Sequence, residues 1–146
     1  MSSQRNQEGL SERQIEKCQS AWKVIGGNKL CQLEISEAAS PGSRTRFSQT
    51  NSIVHLGADV MPGRSSDARS RMSMLACLAH ELAHAERYQK GYDRPLDLPD
   101  LLIDEAETSL SASFTLVLGR QDRDDLVEDA QNQIVDWLTM TRQRES

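Results

Sequence analysis

The segment formed by residues 67–90 constrains the fold of this chain more than any other. Its apolar residues recur at helical spacing and form a stripe wide enough to be deeply buried, made of Met72, Leu75, Ala76, Ala79, Leu82 and Ala83. Ser65 or Ser66 can cap the start of this helix, and Gly91 ends it. Because many residues on the stripe are small, the sequence predicts a buried helix that another backbone approaches closely.

Shorter elements are predicted on both sides of this helix. Ser11 and Gln14 form a capping-box pattern at the start of a first helix, and Gly26-Gly27 ends it. Strands are predicted at residues 30–36 and at about 47–56, and two further helices at about 99–118 and 122–141. This order predicts the α+β class, with the long helix and the following helices packed on a small two- or three-stranded sheet.

Length and composition limit the class of protein. At 146 residues the chain suits one domain, and we expect residues 1–10 to be disordered and residues 11–146 to form that domain. A net charge of -5 without a long basic run argues against nucleic acid as a partner. No stretch approaches the roughly 20 apolar residues of a membrane-spanning helix.

Cysteine usage bears on the compartment. Cys18, Cys31 and Cys77 are widely spaced and odd in number, which is typical of free thiols in a reducing compartment. The start of the chain is polar and has no signal-peptide pattern. We therefore expect a cytoplasmic protein, with secretion by a route that leaves no cleaved signal as the alternative.

The chemistry is concentrated in the string His80-Glu81-Leu82-Ala83-His84. On a helix, two histidines four residues apart lie on one face, where both imidazoles can bind one Zn²⁺ at about 2.0–2.1 Å. Glu81 lies roughly 100° further round the helix, too short for a comfortable ligand but well placed beside an activated water molecule. The spacing predicts zinc ligands at His80 and His84 and a catalytic base at Glu81.

A catalytic zinc has three protein ligands and one open position, so a third ligand is expected from another element. The next predicted helix offers Asp104, Glu105 and Glu107. We favour Glu105 because Ser109 and Ala112 follow it at helical spacing on a face of small residues, which suits close packing. Glu107 is the main rival, and the acids that do not bind metal are interpreted as acceptors for an imidazole N–H or as solvated charges.

Other residues have weaker claims to the site. Cys77 is a possible ligand, but three ligands on one helix would strain a tetrahedral geometry, so we interpret it as a buried thiol. His55, Tyr88 and Tyr92 are possible donors to an oxyanion, with a solvated strand position or packing at the core rim as the simpler interpretation. The acidic cluster in residues 122–129 lacks the spacing of a calcium loop and is interpreted as favouring a helix N-terminus.

These residues resemble those of the zincin metallopeptidases. The segment 78–84, Leu-Ala-His-Glu-Leu-Ala-His, is similar to the zinc-binding helix of that group, and a downstream Glu105 resembles the third ligand of its gluzincin branch. Within the branch, the chain most resembles the compact ImmA/IrrE-like peptidases, over about residues 52–118. Ala83 replaces the usual glycine, and Thr108-Ser109 stand where Ala-Asn is typical. Compact HExxH effector proteases that bacteria inject into host cells look similar.

The resemblance implies a minimal zincin-like domain in which His80, His84 and Glu105 bind zinc and Glu81 is the base. We expect a zinc-dependent metallopeptidase that hydrolyses a peptide bond in a specific protein partner. The strand at 52–56 is expected to offer its edge to an extended peptide. The alternative is a non-catalytic interaction module on a zincin scaffold, with the 122–141 helix docked to a partner. A structural zinc site would need a fourth protein ligand.

Overall fold

Five α-helices and a small mixed sheet make up the part of the chain, residues 4–145, that the computed structural model describes. The helices are α1 Glu12–Val24, α2 Ala68–Arg71, α3 Met74–Gln89, α4 Asp100–Ala112 and α5 Arg120–Glu145. The strands are β1 Gln32–Glu34, β2 Arg46–Ser48 and β3 Ile53–His55. The predicted α+β class is confirmed.

The sheet has the order β1-β3-β2, so β3 is its central strand. Val54 pairs with Leu33 of the parallel β1 and with Phe47 of the antiparallel β2. The prediction of a single strand at 47–56 is therefore wrong. A turn containing Ser52, with φ 51°, divides this segment into the paired strands β2 and β3. The expectation that residues 52–56 offer a free edge is also wrong, because both sides of β3 are paired. The two edges of the sheet belong to β1 and β2.

Helix α1 begins and ends as its sequence predicts. The Ser11 hydroxyl accepts a hydrogen bond from the Gln14 N–H at 3.2 Å, and the Gln14 side chain accepts one from the Ser11 N–H at 2.9 Å. Gly26 follows the helix with φ 86°, a conformation that glycine adopts without strain. At Gly27, a Cβ atom would lie 2.2 Å from the buried ring of Trp22, so the absence of a side chain lets the chain cross that ring.

The long helix predicted at 67–90 is two helices, α2 and α3, separated at Met72 and Ser73. Both residues have extended ψ angles, 131° and 164°. The Ser73 hydroxyl accepts a hydrogen bond from the Ala76 N–H at 3.1 Å and donates one to Asp122 at 2.6 Å. The first N–H groups of a new helix have no carbonyl partner within that helix. Ser73 stabilises the break because its hydroxyl accepts from one of these N–H groups and also contacts α5. Neither Ser65 nor Ser66 is the cap of α2, whose N-cap is Asp67.

The last two helices differ in length from the prediction. Helix α4 ends at Ala112 rather than near residue 118, and α5 extends beyond 122–141 at both ends. Phe114 and Leu116 follow α4 and are 82% and 91% exposed, so their apolar character does not mark a buried helical turn. None of the helices within residues 4–145 combines the length and the apolar character that crossing a membrane requires.

The start of the chain packs against the domain from residue 4 onward, where we expected disorder over residues 1–10. The Arg5 guanidinium donates to the carbonyl groups of Asp59 at 2.6 Å and Val60 at 2.8 Å. Leu10 is buried in the core. Residues 1–3 lie outside the described residues. Local sequence polarity misled the prediction, because an arginine can be ordered by backbone acceptors that lie far away in the sequence.

Helix α3 lies between two apolar clusters. One face carries Leu78 and Leu82 and packs against α1 and the sheet around Trp22 and Val54. The other face carries alanines and packs against α4 and α5, where Leu126 is fully buried. The small residues on this second face bring α4 close to α3, which sets the distance between the histidines and the next helix.

We expect Leu78→Ala to lower the free energy of unfolding by about 2–5 kcal/mol, because the side chain is fully buried and its loss leaves a cavity under α3. Leu116→Ala is the matched control: that leucine is 91% exposed, and its loss should change stability by no more than about 0.5 kcal/mol. Urea unfolding followed by circular dichroism measures both. Equal effects in the two variants would contradict this assignment of the core.

Candidate metal centre

Helix α3 presents His80 and His84 on one face, as their spacing of four residues requires. The two imidazole rings lie edge to face, with centroids 4.7 Å apart and an interplanar angle of 85°. Both side chains are buried, with 8% and 7% of their surface exposed. Two buried imidazoles this close need polar partners, and α4 supplies them.

The Glu105 carboxylate of α4 faces both rings. Its Oε2 atom lies 2.8 Å from Nε2 of His80, and its Oε1 atom lies 3.3 Å from Nε2 of His84. One potential ligand atom from each of these three residues lies within 4.8 Å of the others. Ligand atoms bound tetrahedrally to one zinc at 2.0–2.1 Å lie roughly 3.3 Å apart, so the spacing here is close to that of a zinc site.

Two other acids of α4, Asp104 and Glu107, contact a different partner. Asp104 is buried and lies 3.1 Å from Arg87, while the exposed Glu107 lies 2.8 Å from the same guanidinium. The sequence left Glu105 and Glu107 as rivals for the position beside the histidines, and the structure places Glu105 there. Two residues of α4, roughly half a helical turn, therefore separate a carboxylate inside the site from one that pairs with Arg87 outside it.

A chain of hydrogen bonds fixes the tautomer of His80. Ser109 donates its only hydroxyl proton to the buried Asp129 carboxylate at 2.8 Å, because a carboxylate can only accept. The same hydroxyl lies 2.9 Å from Nδ1 of His80, so it must accept a proton carried by Nδ1. An imidazole that donates through Nδ1 has Nε2 as its metal-binding nitrogen, and Nε2 of His80 faces Glu105. This is the tautomer that binds a metal through Nε2.

Thr108, the residue before Ser109 on α4, orients His84 in the same way. Thr108 donates its hydroxyl proton to the carbonyl group of Asp104 at 2.7 Å, so toward Nδ1 of His84, at 3.5 Å, it can only accept. Thr108 and Ser109 follow Glu105 by three and four residues, and these spacings place all three side chains on one helical face. A single face of α4 therefore supplies a carboxylate and an acceptor for each imidazole.

The donor set fits zinc. Both Nδ1 atoms point away from the site toward hydroxyl groups, and both Nε2 atoms point toward the carboxylate of Glu105. Burial works to raise the pKa of Glu105, but hydrogen bonds from the two imidazoles outweigh it and hold the pKa well below its usual range. The carboxylate is therefore ionised, and two imidazoles with one carboxylate are a usual ligand set for catalytic zinc.

Sequence reasoning missed Asp129 and Arg69. The acidic cluster in residues 122–129 was interpreted only as favouring a helix N-terminus, whereas Asp129 is buried behind Ser109. Arg69 lies 3.2 Å from the Asp129 carboxylate and balances its charge. The role of Asp129 depends on how α5 packs on α4, which the acidic cluster by itself does not reveal. The apolar period of α5 was the available signal, since Asp129 precedes the buried Ala130.

Glu81 is buried next to the two histidines and Glu105, and its carboxylate makes no hydrogen bond within the described residues. Its side chain is 9% exposed, and no hydrogen bond or ion pair to it occurs within residues 4–145. Burial raises the pKa of Glu81 to about 7; the nearby His84 opposes this shift, and the negative charge of Glu105 adds to it. A carboxylate with a pKa near 7 can both take and release a proton at neutral pH.

These residues line one cavity of about 320 Å³. Its walls include the site residues His80, Glu81, His84 and Glu105, the arginines Arg5, Arg44, Arg46, Arg69 and Arg94, and part of β2. Arg94 also contacts the Oε1 atom of Glu105. The cavity therefore brings a buried carboxylate, a candidate ligand set and the end of an edge strand into one space.

The remaining sequence candidates lie in other settings. Cys77 lines the cavity, but burial raises its thiol pKa to about 12, so it is a neutral thiol rather than a ready ligand. His55 faces Glu37, with Nδ1 3.6 Å from Oε2. Tyr88 packs on Phe47, and Tyr92 packs on the Arg87 guanidinium. None of these three residues, His55, Tyr88 and Tyr92, belongs to the described lining of the cavity.

Comparison with known proteins found no relative of this chain. No family model, curated protein or solved structure matches the chain. The function therefore has to be inferred from the contacts within the site itself.

Proposed function

We propose that this chain is a zinc-dependent metallopeptidase that hydrolyses a peptide bond in a specific protein partner. One observation carries the proposal: a buried Glu81 without a hydrogen-bond partner among the described residues lies beside two imidazole Nε2 atoms and the Glu105 carboxylate, in one cavity. Buried carboxylates are stabilised by hydrogen bonds or counterions unless another role retains them. A general base beside a metal is such a role.

His80, His84 and Glu105 would hold the zinc. When bound, zinc supplies a Lewis acid that makes water more acidic and polarises the carbonyl group of the scissile bond. Ser109 and Thr108 keep the two imidazoles in the required tautomer, and Asp129 increases the basicity of His80 through Ser109. The ligands are thus oriented by α4 before metal binds, which lowers the entropy cost of assembling the site.

Glu81 carries the proton of the reaction. Its carboxylate takes a proton from water as the water oxygen forms a bond to the carbonyl carbon of the substrate. It then gives that proton to the leaving nitrogen as the carbon–nitrogen bond breaks, so the products are a carboxylic acid and an amine. The raised pKa of Glu81, about 7, suits both steps at neutral pH.

The substrate peptide is proposed to bind along β2. This strand is an edge of the sheet, and its residues Arg46 and Phe47 line the cavity next to the zinc ligands. An extended peptide can pair with the free side of an edge strand through main-chain hydrogen bonds. Strand β3, which the sequence favoured for this role, has a partner strand on each side.

Metal analysis and a cleavage assay test the proposal. Purified protein is stripped with a chelator, reloaded with one equivalent of zinc and incubated with a peptide library, and cleavage products are identified by mass spectrometry. We expect cleavage by the zinc-loaded protein only, at a limited set of sequences. Tight zinc binding without any cleavage would contradict a peptidase, and the absence of zinc binding would contradict the metal site as well.

A non-catalytic interaction module is the second candidate, and the outer face of α5 favours it. Ile134, Val135 and Leu138 are 36%, 58% and 41% exposed, which is unusual for three neighbouring apolar residues unless another molecule covers them. The two candidates differ in their dependence on zinc. Partner binding that persists in the chelated protein, together with no hydrolysis by the zinc-loaded protein, would favour the module.

Ser109→Ala is expected to weaken zinc binding about 10–100-fold, because it removes the acceptor that orients Nδ1 of His80. Ser111→Ala on the same helix is the matched control, since Ser111 is exposed and makes no contact with the site in the described structure. Competition with a fluorescent zinc chelator measures both affinities. The same affinity in the two variants would contradict the role assigned to Ser109.

A further inference from the structure

Arg94 is the cationic side chain in contact with the candidate ligand set. It lies between α3 and α4, lines the cavity, and its Nη2 atom contacts Oε1 of Glu105. The side chain is 39% exposed, so a molecule that enters the cavity can reach it. Arginine has five N–H donors, and within residues 4–145 the guanidinium of Arg94 donates to the Glu105 carboxylate through Nη2. Most of its donors therefore remain available to a ligand.

The contact with Arg94 does not prevent Glu105 from binding a metal. Arg94 contacts Oε1, whereas Oε2 of the same carboxylate lies 2.8 Å from Nε2 of His80. One oxygen can therefore face a metal ion while the other accepts from the guanidinium. This arrangement places a permanently charged donor directly beside the ligand atoms.

The proposed hydrolysis needs such a donor. When water adds to the peptide carbonyl group, its oxygen gains a negative charge, and donors aimed at that oxygen lower the barrier. The tyrosines and the third histidine that the sequence offered for this role lie outside the described lining of the cavity. Three of the cavity arginines are engaged elsewhere: Arg5 with backbone carbonyl groups, Arg46 with Glu37 and Arg69 with Asp129.

We propose that Arg94 is a catalytic residue whose guanidinium donates hydrogen bonds to the substrate carbonyl oxygen as that oxygen becomes negatively charged. The inference rests on the proposed function. It assigns Glu81 and Arg94 complementary tasks: Glu81 moves the proton of water, and Arg94 stabilises the charge that the addition of water creates. Arginine suits this task because it is protonated at every working pH.

The first test compares zinc-loaded wild type with Arg94→Ala, Arg94→Lys and Arg64→Ala, using a peptide that the wild type cleaves. Removing an oxyanion donor is expected to lower kcat about 10²–10³-fold with little change in KM. Lysine keeps the charge and should restore part of the rate. Arg64 is exposed and lies outside the cavity, so its substitution should leave kcat unchanged.

Two further measurements separate a catalytic role from a structural one. Zinc affinity should not fall in Arg94→Ala, because Arg94 contacts Oε1 of Glu105, whereas Oε2 faces His80 and remains in place. Binding of methylphosphonate, a tetrahedral anion, to the zinc-loaded protein should weaken about tenfold or more in Arg94→Ala, as expected for losing a hydrogen bond between charged groups. Isothermal titration calorimetry measures both affinities.

Three results would overturn the inference, and they can be told apart. Unchanged kcat and methylphosphonate affinity in Arg94→Ala would remove Arg94 from the reaction while the proposed function stands. A tenfold loss of zinc affinity would make Arg94 a positioning residue for Glu105. If the zinc-loaded wild type cleaves no peptide, the proposed function itself fails, and the assignment of Arg94 fails with it.

Discussion

Glu81→Gln is expected to lower kcat about 10²–10⁴-fold while zinc content stays at the wild-type level. Glutamine has nearly the same shape and fits the same buried space, but it cannot take a proton from water. Zinc should be retained because the proposed ligand atoms come from His80, His84 and Glu105, and Glu81 is none of these. Steady-state cleavage rates and metal analysis of the same protein samples measure the two quantities.

Glu86→Gln is the matched control for Glu81→Gln. Glu86 lies on the same helix, is exposed and does not line the cavity of the site. The control should cleave peptide at the wild-type rate. If Glu81→Gln cleaves as fast as this control, Glu81 is not the base; if it loses zinc, Glu81 belongs to the metal site in a way that its position beside the ligands does not explain.

Removing His84 is expected to have the second large effect. His84→Ala leaves two of the three proposed ligand atoms. Zinc affinity should therefore fall by more than the roughly 10–100-fold expected for losing a residue that only orients a ligand, such as Ser109. The protein should then retain little zinc after dialysis and should show no cleavage. Because a ligand that binds only the folded state stabilises it, added zinc should raise the Tm of the wild type and not that of His84→Ala.

The chain provides an internal control for this variant. Its third histidine, His55, lies at the end of β3 and faces Glu37 rather than the cavity. His55→Ala should bind zinc as the wild type does, which separates a specific site from general affinity of imidazoles for zinc. Equal zinc content in His84→Ala, His55→Ala and the wild type would remove the basis of the metal site.

Local patterns of the sequence determined much of this protein. A spacing of four residues was enough to place His80 and His84 on one face of α3, because the pitch of a helix does not depend on its surroundings. The capping box at Ser11 located the start of α1 for the same reason, since all of its contacts lie within one turn. The order of elements also predicted the α+β class.

Contacts between elements were decided only by the tertiary structure. Whether Glu105 or Glu107 faces the histidines depends on the rotation of α4 against α3, and the pairing of Asp129 with Ser109 depends on the packing of α5. At the break before α3, Ser73 likewise donates to Asp122, which lies 49 positions further along the chain. Periodicity reports which face of a helix is buried, whereas the packing of whole side chains determines what that face meets.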